Sequence, residues 1–200
     1  MTHPAPVGDR KLGCREISVT TLYSYVVDHD LGFAPNPASG YCTLVHCKFG
    51  GHSGRRNIVE QADVGDWIVG TGGTSKDSAG HGKLIYLMRV DEKLPFQRFL
   101  ADARFRGRRD CKDFGNGNIF ALISQRYFYF GKNAVSLASL PSLLVTGLAK
   151  RGPGFRCDYP VDKIKRLVSW CGREYELGAH GDPCGSKAVS TKSHLRKKCP

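Results

Sequence analysis

Two carboxylates, an aromatic ring and an amide lie close together in the segment DHDLGFAPNP, residues 28–37. Asp28 and Asp30 directly follow a stretch with the composition of a β-strand, so a rigid backbone can aim them. Carboxylates placed in this way act as general acids, general bases or stabilisers of a developing cation. Phe33 can stack on a flat ligand, and Asn36 can bind a hydrogen-bonding edge or hold a water molecule.

The alternative interpretation of these residues is structural. Residues 28–40 are dense in Pro, Gly, Asn and Asp, which are the residue types that tight turns use. Asp28 and Asp30 would then accept N–H groups of turns, and Phe33 would belong to the hydrophobic core. The sequence leaves both interpretations open.

Clustered basic residues indicate a polyanionic partner. Of a formal charge of +12, residues 104–112 hold five cations against one acid and residues 185–200 hold five cations and no acid. Such clustering favours phosphate groups and salt-sensitive association, whereas a solubilising surface with a solvated tail is the alternative. The predicted contacts to a nucleic-acid backbone are Arg55, Arg56, Arg104, Arg106, Arg108 and Arg109.

Short strands and short helices must position these residues. Val/Ile/Tyr-rich runs predict strands at 17–27, 41–49, the second half of 64–73, 83–90, 118–124 and 126–131, and the last two could also be one long strand with a break. In the fourth of these, Leu84, Tyr86, Met88 and Val90 share one face. Helices are predicted at 57–63, from Pro95 onward and at 161–172, where Gly172 ends an amphipathic helix, and residues 140–144 form an irregular connector.

The aromatic run RYFYF, residues 126–130, alternates between the two faces of its strand. Either Tyr127 and Tyr129 or Phe128 and Phe130 therefore face the core. The other pair would be half exposed and could stack on nucleic-acid bases.

This order of elements predicts one α+β domain. Since the sequence has no internal repeat and no strict β-α-β alternation, a doubly wound sheet is not expected. The order of elements is similar to the PUA/ASCH/EVE group, which implies a PUA-like bent sheet or a partly open β-barrel with peripheral short helices. We predict a flexible lead-in at 1–16, the domain at 17–182 and a basic disordered tail at 183–200.

Cysteine usage and hydropathy limit the class of protein. The eight cysteines include no CxxC pair, so we predict no metal site, and we expect reduced thiols. No apolar run reaches membrane-spanning length and no secretory signal precedes the domain, which predicts a cytoplasmic protein with no membrane partner. No phosphate-loop motif is present, and we predict no cofactor.

Four segments resemble the bacterial and phage family called nucleotide modification associated domain 2: residues 29–48, 62–73, 82–105 and 124–134. The resemblance extends over about residues 22–182, and the combination GFAPNP…CTL…CK with GDWIVGTG is specific. It implies a fold related to PUA-like barrels and a link to modified DNA and phage–host conflict, with some members acting as DNA glycosylases. Where relatives have a GDNIYH-like segment, this chain has GNGNIF, so Asn118 matches while the acid and the histidine are absent.

A glycosylase needs a carboxylate beneath the sugar and a pocket for a flipped base. With the activity that the resemblance implies, the chemistry of these residues makes Asp30, Asp28 and Asn36 the candidate catalytic residues. The candidate base-binding residues are Phe33, Asn118, Tyr127 and Tyr129. We expect excision of a hypermodified base, such as a phage hydroxymethylcytosine or its glucosylated derivative, from double-stranded DNA in antiviral defence, with a downstream nuclease as a further partner. The alternatives are a non-catalytic reader of modified bases and an RNA-binding or RNA-modifying protein.

Overall fold

The computed structural model describes residues 20–45, 57–113, 119–152 and 154–185. The strands are β1 Leu22–Val27, β2 Cys42–Leu44, β3 Trp67–Gly72, β4 Lys83–Arg89, β5 Glu92–Pro95, β6 Phe120–Ser124, β7 Tyr127–Tyr129, β8 Val135–Ser136, β9 Phe155–Arg156 and β10 Gly178–Ala179. The α-helices are α1 Ile58–Gln61, α2 Phe96–Ala101, α3 Ser142–Val145 and α4 Val161–Glu174. The predicted α+β class is confirmed.

The described strands form two sheets. The larger sheet has the order β10-β7-β4-β3-β1-β9, with β8 paired to β4, and the smaller sheet has the order β2-β6-β5. β1 and β3 run parallel, because the connection between them crosses over through β2 and α1, whereas β3, β4 and β7 pair antiparallel. Both sheets are open within the described residues, which agrees with the predicted bent sheet, while membership of the PUA-like group stays a prediction.

Three hydrophobic clusters hold the layers together. The first lies between the two sheets and includes Tyr25, Leu44 and Leu122. The second packs the opposite face of the larger sheet against α4, and the third packs the smaller sheet against α2 and Phe105. The central strand β4 is therefore buried on both faces, so its sequence reads as a continuous apolar run.

Helix α4 follows its amphipathic pattern. Ile164, Leu167 and Cys171 are buried against the larger sheet, at the spacing expected for one helical face. The prediction that Gly172 ends this helix is wrong, since α4 continues to Glu174. A glycine within a helix costs only about 1 kcal/mol, which tertiary packing can offset.

Two further local predictions need correction. Residues 140–144 are not wholly irregular, because the short helix α3 begins at Ser142. Residues 183–185, predicted to begin a disordered tail, pack against the segment that carries Asp30. The remainder of that tail and the predicted lead-in at 1–16 lie outside the described residues.

Candidate functional site

Asp30 follows the end of β1 and is fully buried. The hydroxyl of Tyr129 donates to its Oδ1 at 2.5 Å, and the backbone N–H of Cys184 donates to its Oδ2 at 3.1 Å. Burial raises the pKa of the Asp30 carboxyl above its usual range, and these hydrogen bonds offset only part of the effect. Asp30 is therefore a carboxyl group that holds its proton more tightly than an exposed aspartate.

The larger sheet brings Tyr129 to Asp30. Tyr129 lies opposite Tyr86 on β4, and Tyr86 donates its hydroxyl to that of Tyr25 on β1 at 2.9 Å. All three tyrosines belong to the core between the two sheets. Burial, and next the neighbouring Asp30 carboxyl, raise the pKa of the Tyr129 hydroxyl, so it remains a hydrogen-bond donor.

Asp28, two positions earlier, has a different environment. Its side chain is 43% exposed, and its Oδ1 accepts the backbone N–H groups of Thr74 and Ser75, each at 3.1 Å. These bonds fasten the glycine-rich turn after β3 to the end of β1. Asp28 thus performs the turn-holding role that the sequence offered as an alternative, and its predicted catalytic role stays a prediction.

Asn36 belongs to a buried polar cluster rather than to an open pocket. It is 3% exposed, its Nδ2 donates to Oδ1 of Asp110 at 2.5 Å, and its Oδ1 accepts the N–H of Ala38 at 3.2 Å. Its backbone pairs with that of Thr43. The side-chain amide that was expected to meet a base or water is therefore occupied by protein partners.

Arg108, which the sequence predicts as a phosphate contact, is buried in this cluster, and its contact with phosphate stays a prediction. Its side chain is 4% exposed and forms an ion pair with Asp110 at 3.2 Å. The guanidinium also donates to the backbone oxygen of Asn36 at 2.9 Å and to Oγ1 of Thr43 at 2.8 Å. A buried cation with these partners fastens the loop around residues 36–43.

The other arginines of the 104–112 cluster differ in their availability. Arg104 binds Glu92 at 2.6 Å and Asp102 at 2.7 Å, and it lowers the pKa of both carboxyls. Its charge is largely neutralised by these two acids. Arg106 and Arg109 are exposed, and Arg109 donates to the backbone oxygen of Leu31 at 3.1 Å. Arg109 therefore lies beside the segment that carries Asp30.

The predicted stacking residues are mostly enclosed. Phe33 is half-buried in the loop after Asp30, as a stacking residue requires. Tyr127 and Tyr129 are 4% and 0% exposed, and the two phenylalanines between and after them are also buried. The prediction that one pair would be half exposed is wrong, because the core between the sheets covers one face of β7 and the α4 cluster covers the other.

Three predicted site residues, Arg55, Arg56 and Asn118, lie outside the described residues. The sequence interpretation also missed Tyr129 as a partner of Asp30, Cys184 as its second donor and Asp110 as the partner of Arg108. Tyr129 and Cys184 lie too far along the chain from Asp30 for any sequence spacing to link them with it. Asp110 did carry a signal, since it is the single acid among five cations.

The described surface also has a groove whose lining does not include Asp30. This groove, of about 580 Å³, lies between α4 and the larger sheet, with Trp67, Phe128, Tyr175 and two arginines among its lining residues. Within the described part of the chain, no group of three His, Cys, Asp or Glu side chains could hold a metal ion. None of the described helices has the length and apolar character needed to cross a membrane.

These features define a mixed α+β domain with an open sheet and a buried acid at the end of a strand. Residues 19–116 match the family model described as nucleotide modification associated domain 2, so the predicted resemblance to this family is confirmed over that part of the chain. The match includes Asp30 and its loop but not Tyr129 or Cys184. No curated protein and no solved structure matches the chain.

Proposed function

We propose that this protein is a DNA N-glycosylase that excises a hypermodified base from double-stranded DNA and leaves an abasic site. The observation that carries the proposal is Asp30, a fully buried carboxyl group at the end of β1 in the part of the chain that matches the family. Active sites of enzymes commonly contain a carboxyl group whose pKa is raised by burial. The match to a nucleotide-modification-associated domain supports a nucleotide base as the substrate class.

Asp30 would act as the general base. Its carboxylate accepts a proton from a water molecule while the water oxygen bonds to C1′ of the sugar. The bond between C1′ and the base nitrogen breaks, and the departing base takes that electron pair. A carboxylate with a raised pKa is a stronger base than an ordinary aspartate, and its negative charge stabilises the oxocarbenium-like transition state.

The loop after Asp30 would receive the flipped base. Leu31 is 38% exposed, and Phe33 offers a half-buried ring, so both can contact a base that has left the stack. The exposed guanidinium groups of Arg106 and Arg109 would contact phosphates on either side of it. Phe33 in the loop and Arg109, which donates to the backbone oxygen of Leu31, support this assignment.

The choice of target base rests on what the resemblance to the family implies and not on the geometry. We infer a cytosine derivative such as hydroxymethylcytosine or its glucosylated form, as found in phage DNA, and a role in antiviral defence. An abasic site is not itself a strand break, so a downstream nuclease would complete destruction of the DNA.

The proposal is tested with purified protein and matched duplexes that carry cytosine, hydroxymethylcytosine or glucosylated hydroxymethylcytosine at one position. Alkali-labile sites and the released base, identified by mass spectrometry, should appear with a modified duplex only. Asp30→Asn should abolish release while binding survives, because the lost interaction acts in the transition state. Asp158→Asn, at an exposed acid 69% accessible to solvent, is the matched control and should keep full activity.

A reader of modified bases is the second candidate. It is favoured by the environment of Asp30, whose two side-chain oxygens already accept hydrogen bonds from Tyr129 and Cys184. An acid occupied in this way can hold a base by hydrogen bonds without cutting it, and a partner nuclease would then act. Tight, modification-dependent binding with no release of base in any of the duplexes would establish the reader and refute the glycosylase.

A further inference from the structure

A row of three large side chains crosses the larger sheet at the end where β1 begins. Trp67 on β3 pairs with Arg89 on β4, and the backbone N–H of Arg89 donates to the backbone oxygen of Arg126 at 3.0 Å. All three residues line the groove between this sheet and α4. Trp67 lies beside Leu22, the first residue of β1, whereas Asp30 follows the other end of that strand. The groove and the candidate site therefore lie at opposite ends of β1.

The groove also lies on the face of the sheet away from Asp30. Phe128 lines the groove and belongs to the hydrophobic cluster beneath α4. Tyr129, which donates to Asp30, belongs instead to the cluster between the two sheets. Neighbouring side chains of a strand point to opposite faces, so the sheet itself would separate a ligand in the groove from a ligand at Asp30.

Two guanidinium groups at the groove share one acid. Oδ1 of Asp91 accepts hydrogen bonds from Nη1 of Arg89 at 3.0 Å and from Nε of Arg126 at 2.9 Å. Its Oδ2 accepts the backbone N–H groups of Gln125 and Arg126. Asp91 thus holds both cations in place and neutralises one of the two charges, while the side chain of Arg126 remains 54% exposed. The pair therefore offers a net positive charge and oriented N–H donors, which a phosphate group accepts strongly.

Two half-buried aromatic rings line the same groove. Trp67 packs at the edge of the cluster beneath α4, and the ring centroid of Tyr175 lies 4.8 Å from that of Phe130. The core therefore holds both rings in place while part of each stays accessible to solvent. Such rings suit stacking on a nucleobase, since every base has a π-face. Glu176 also lines the groove, and its carboxylate can accept an N–H group of a base.

A glycine in α4 keeps the groove open. Val168, Gly172 and Tyr175 follow one another at the i, i+4, i+7 spacing of one helical face, and all three line the groove. Glycine within a helix lowers stability relative to alanine, and a Cβ added to Gly172 would meet nothing within 4 Å. Neither the helical backbone nor the packing therefore requires glycine here. A larger side chain would occupy the groove, so a ligand that needs this space accounts for the glycine.

We propose that this groove is a binding site for a nucleoside monophosphate. The phosphate binds the two arginines, the base stacks on one of the two aromatic rings, and Glu176 accepts a hydrogen bond from the base. The volume of about 580 Å³ lies within the range of about 300–1,000 Å³ that small-molecule sites occupy. This site does not rest on the glycosylase activity, since Asp30 does not line the groove.

Tryptophan fluorescence of the variant Trp170→Phe tests the site, because Trp67 is then the only tryptophan of the chain. Titration with dAMP or dCMP should quench this emission to saturation, with a dissociation constant below about 1 mM. Deoxyadenosine and deoxycytidine, which lack the phosphate, should bind at least about tenfold more weakly, and so should inorganic phosphate in competition with dAMP. Isothermal titration calorimetry of the unaltered chain with dAMP repeats the measurement without any substitution.

Two variants assign the binding to the groove. Gly172→Leu places a side chain in the groove and should abolish dAMP binding, while its urea midpoint should not fall below that of the wild type, because leucine favours a helix more than glycine does. Arg126→Ala removes the more exposed cation and should weaken dAMP binding at least about tenfold. Arg166→Ala is the matched control, since Arg166 is an exposed arginine of α4 that does not line the groove, and it should bind dAMP like the wild type. Asp30→Asn should also keep this binding. If Gly172→Leu does not fold, Arg126→Ala decides.

The outcomes are independent of the glycosylase. Binding of dAMP that is lost in the two groove variants and kept in Asp30→Asn would support the nucleotide site, even if no base were released from any duplex. Absence of binding to the unaltered chain at about 10 mM dAMP and dCMP would overturn the site, even if base release were observed. Equal affinity for nucleotide and nucleoside would overturn the role of the arginines. Binding that survives in both groove variants, or that only Asp30→Asn loses, would place the nucleotide elsewhere and overturn the proposal.

Discussion

Replacement of Arg108 tests whether this residue fastens the fold or contacts DNA. In the sequence it belongs to a basic cluster, whereas in the structure it is buried against Asp110. Arg108→Ala removes the ion pair and the bonds to Asn36 and Thr43. It also leaves a carboxylate in a site with no solvent exposure, since Asp110 is 0% exposed.

The expected loss is large. Removal of one partner of a buried ion pair typically costs about 3–5 kcal/mol, because the other charge remains buried. Asn36 and Thr43 still donate to Asp110, which limits the penalty, so we expect a loss of about 3 kcal/mol. With a urea m-value of about 1.5–2 kcal/mol/M, the midpoint of unfolding should fall by roughly 1.5–2 M.

The assay is urea unfolding of the wild-type protein, Arg108→Ala and Arg106→Ala. Arg106 is exposed in the same cluster, so its loss should change the unfolding free energy by less than about 0.5 kcal/mol. The double variant Arg108→Met/Asp110→Asn should lose clearly less unfolding free energy than the sum of the losses of its two single variants, because each single variant breaks the same interaction. If Arg108→Ala unfolds like wild type and weakens DNA binding instead, the buried role is refuted and the phosphate contact stands.

Two further predictions concern Asp30 and the exposed arginines. Because burial raises the pKa of Asp30, ionisation of this group disfavours the folded state. The unfolding free energy of the wild-type protein should therefore fall as pH rises from about 4 through the folded pKa, by about 1.4 kcal/mol per unit of pKa difference between the folded and unfolded states. Urea unfolding across this range should show no such fall in Asp30→Asn, and identical profiles of the two proteins would contradict the assignment. Arg109→Ala should weaken binding to any duplex and lower the slope of log K against log[salt] by about 0.9. Arg104→Ala should change neither the affinity nor the slope, because Arg104 is already paired with Glu92 and Asp102. Equal effects of the two variants in salt titrations would contradict this difference.

Local patterns predicted the longer elements of the fold. The amphipathic spacing of α4, the Pro95 start of α2 and the apolar run of β4 each depend on neighbouring residues, so the sequence alone was sufficient. The two-residue strands β8, β9 and β10 exist only because distant chain segments pair with them, and no local signal precedes them. Sequence periodicity cannot supply such pairings.

A β-bulge explains one error within a correctly predicted strand. Leu84 was expected to share a face with Tyr86, Met88 and Val90, but it packs in the α4 cluster while those three lie between the sheets. The register between β3 and β4 shifts at Gly70 and Thr71, which turns the start of β4 to the opposite face. The rule that side chains along a strand alternate strictly between its two faces fails at any such register shift.

The candidate site was predictable only in part, for a related reason. An acid after a strand and a cluster of arginines are visible in the sequence, but their partners are not. Tyr129 and Cys184 lie far along the chain from Asp30, and Glu92 and Asp102 neutralise an arginine that was expected to bind phosphate. Charge counts therefore overstated the available cations, and the acid after β1 proved more deeply buried than its loop sequence indicates.

The loop after β1 is fastened at two places, and this limits which part of the site can move. Asp28 holds the turn after β3, and Asn36 and Thr43 are tied to the buried pair of Arg108 and Asp110. The segment between these points carries Asp30 and Phe33, so its position is set before any ligand binds. Residues 184 and 185 are attached to this segment by hydrogen bonds from their backbone N–H groups to Asp30, which cost far less to break than the buried ion pair. A ligand that approaches Asp30 would therefore displace residues 184 and 185 more readily than it would rearrange the loop.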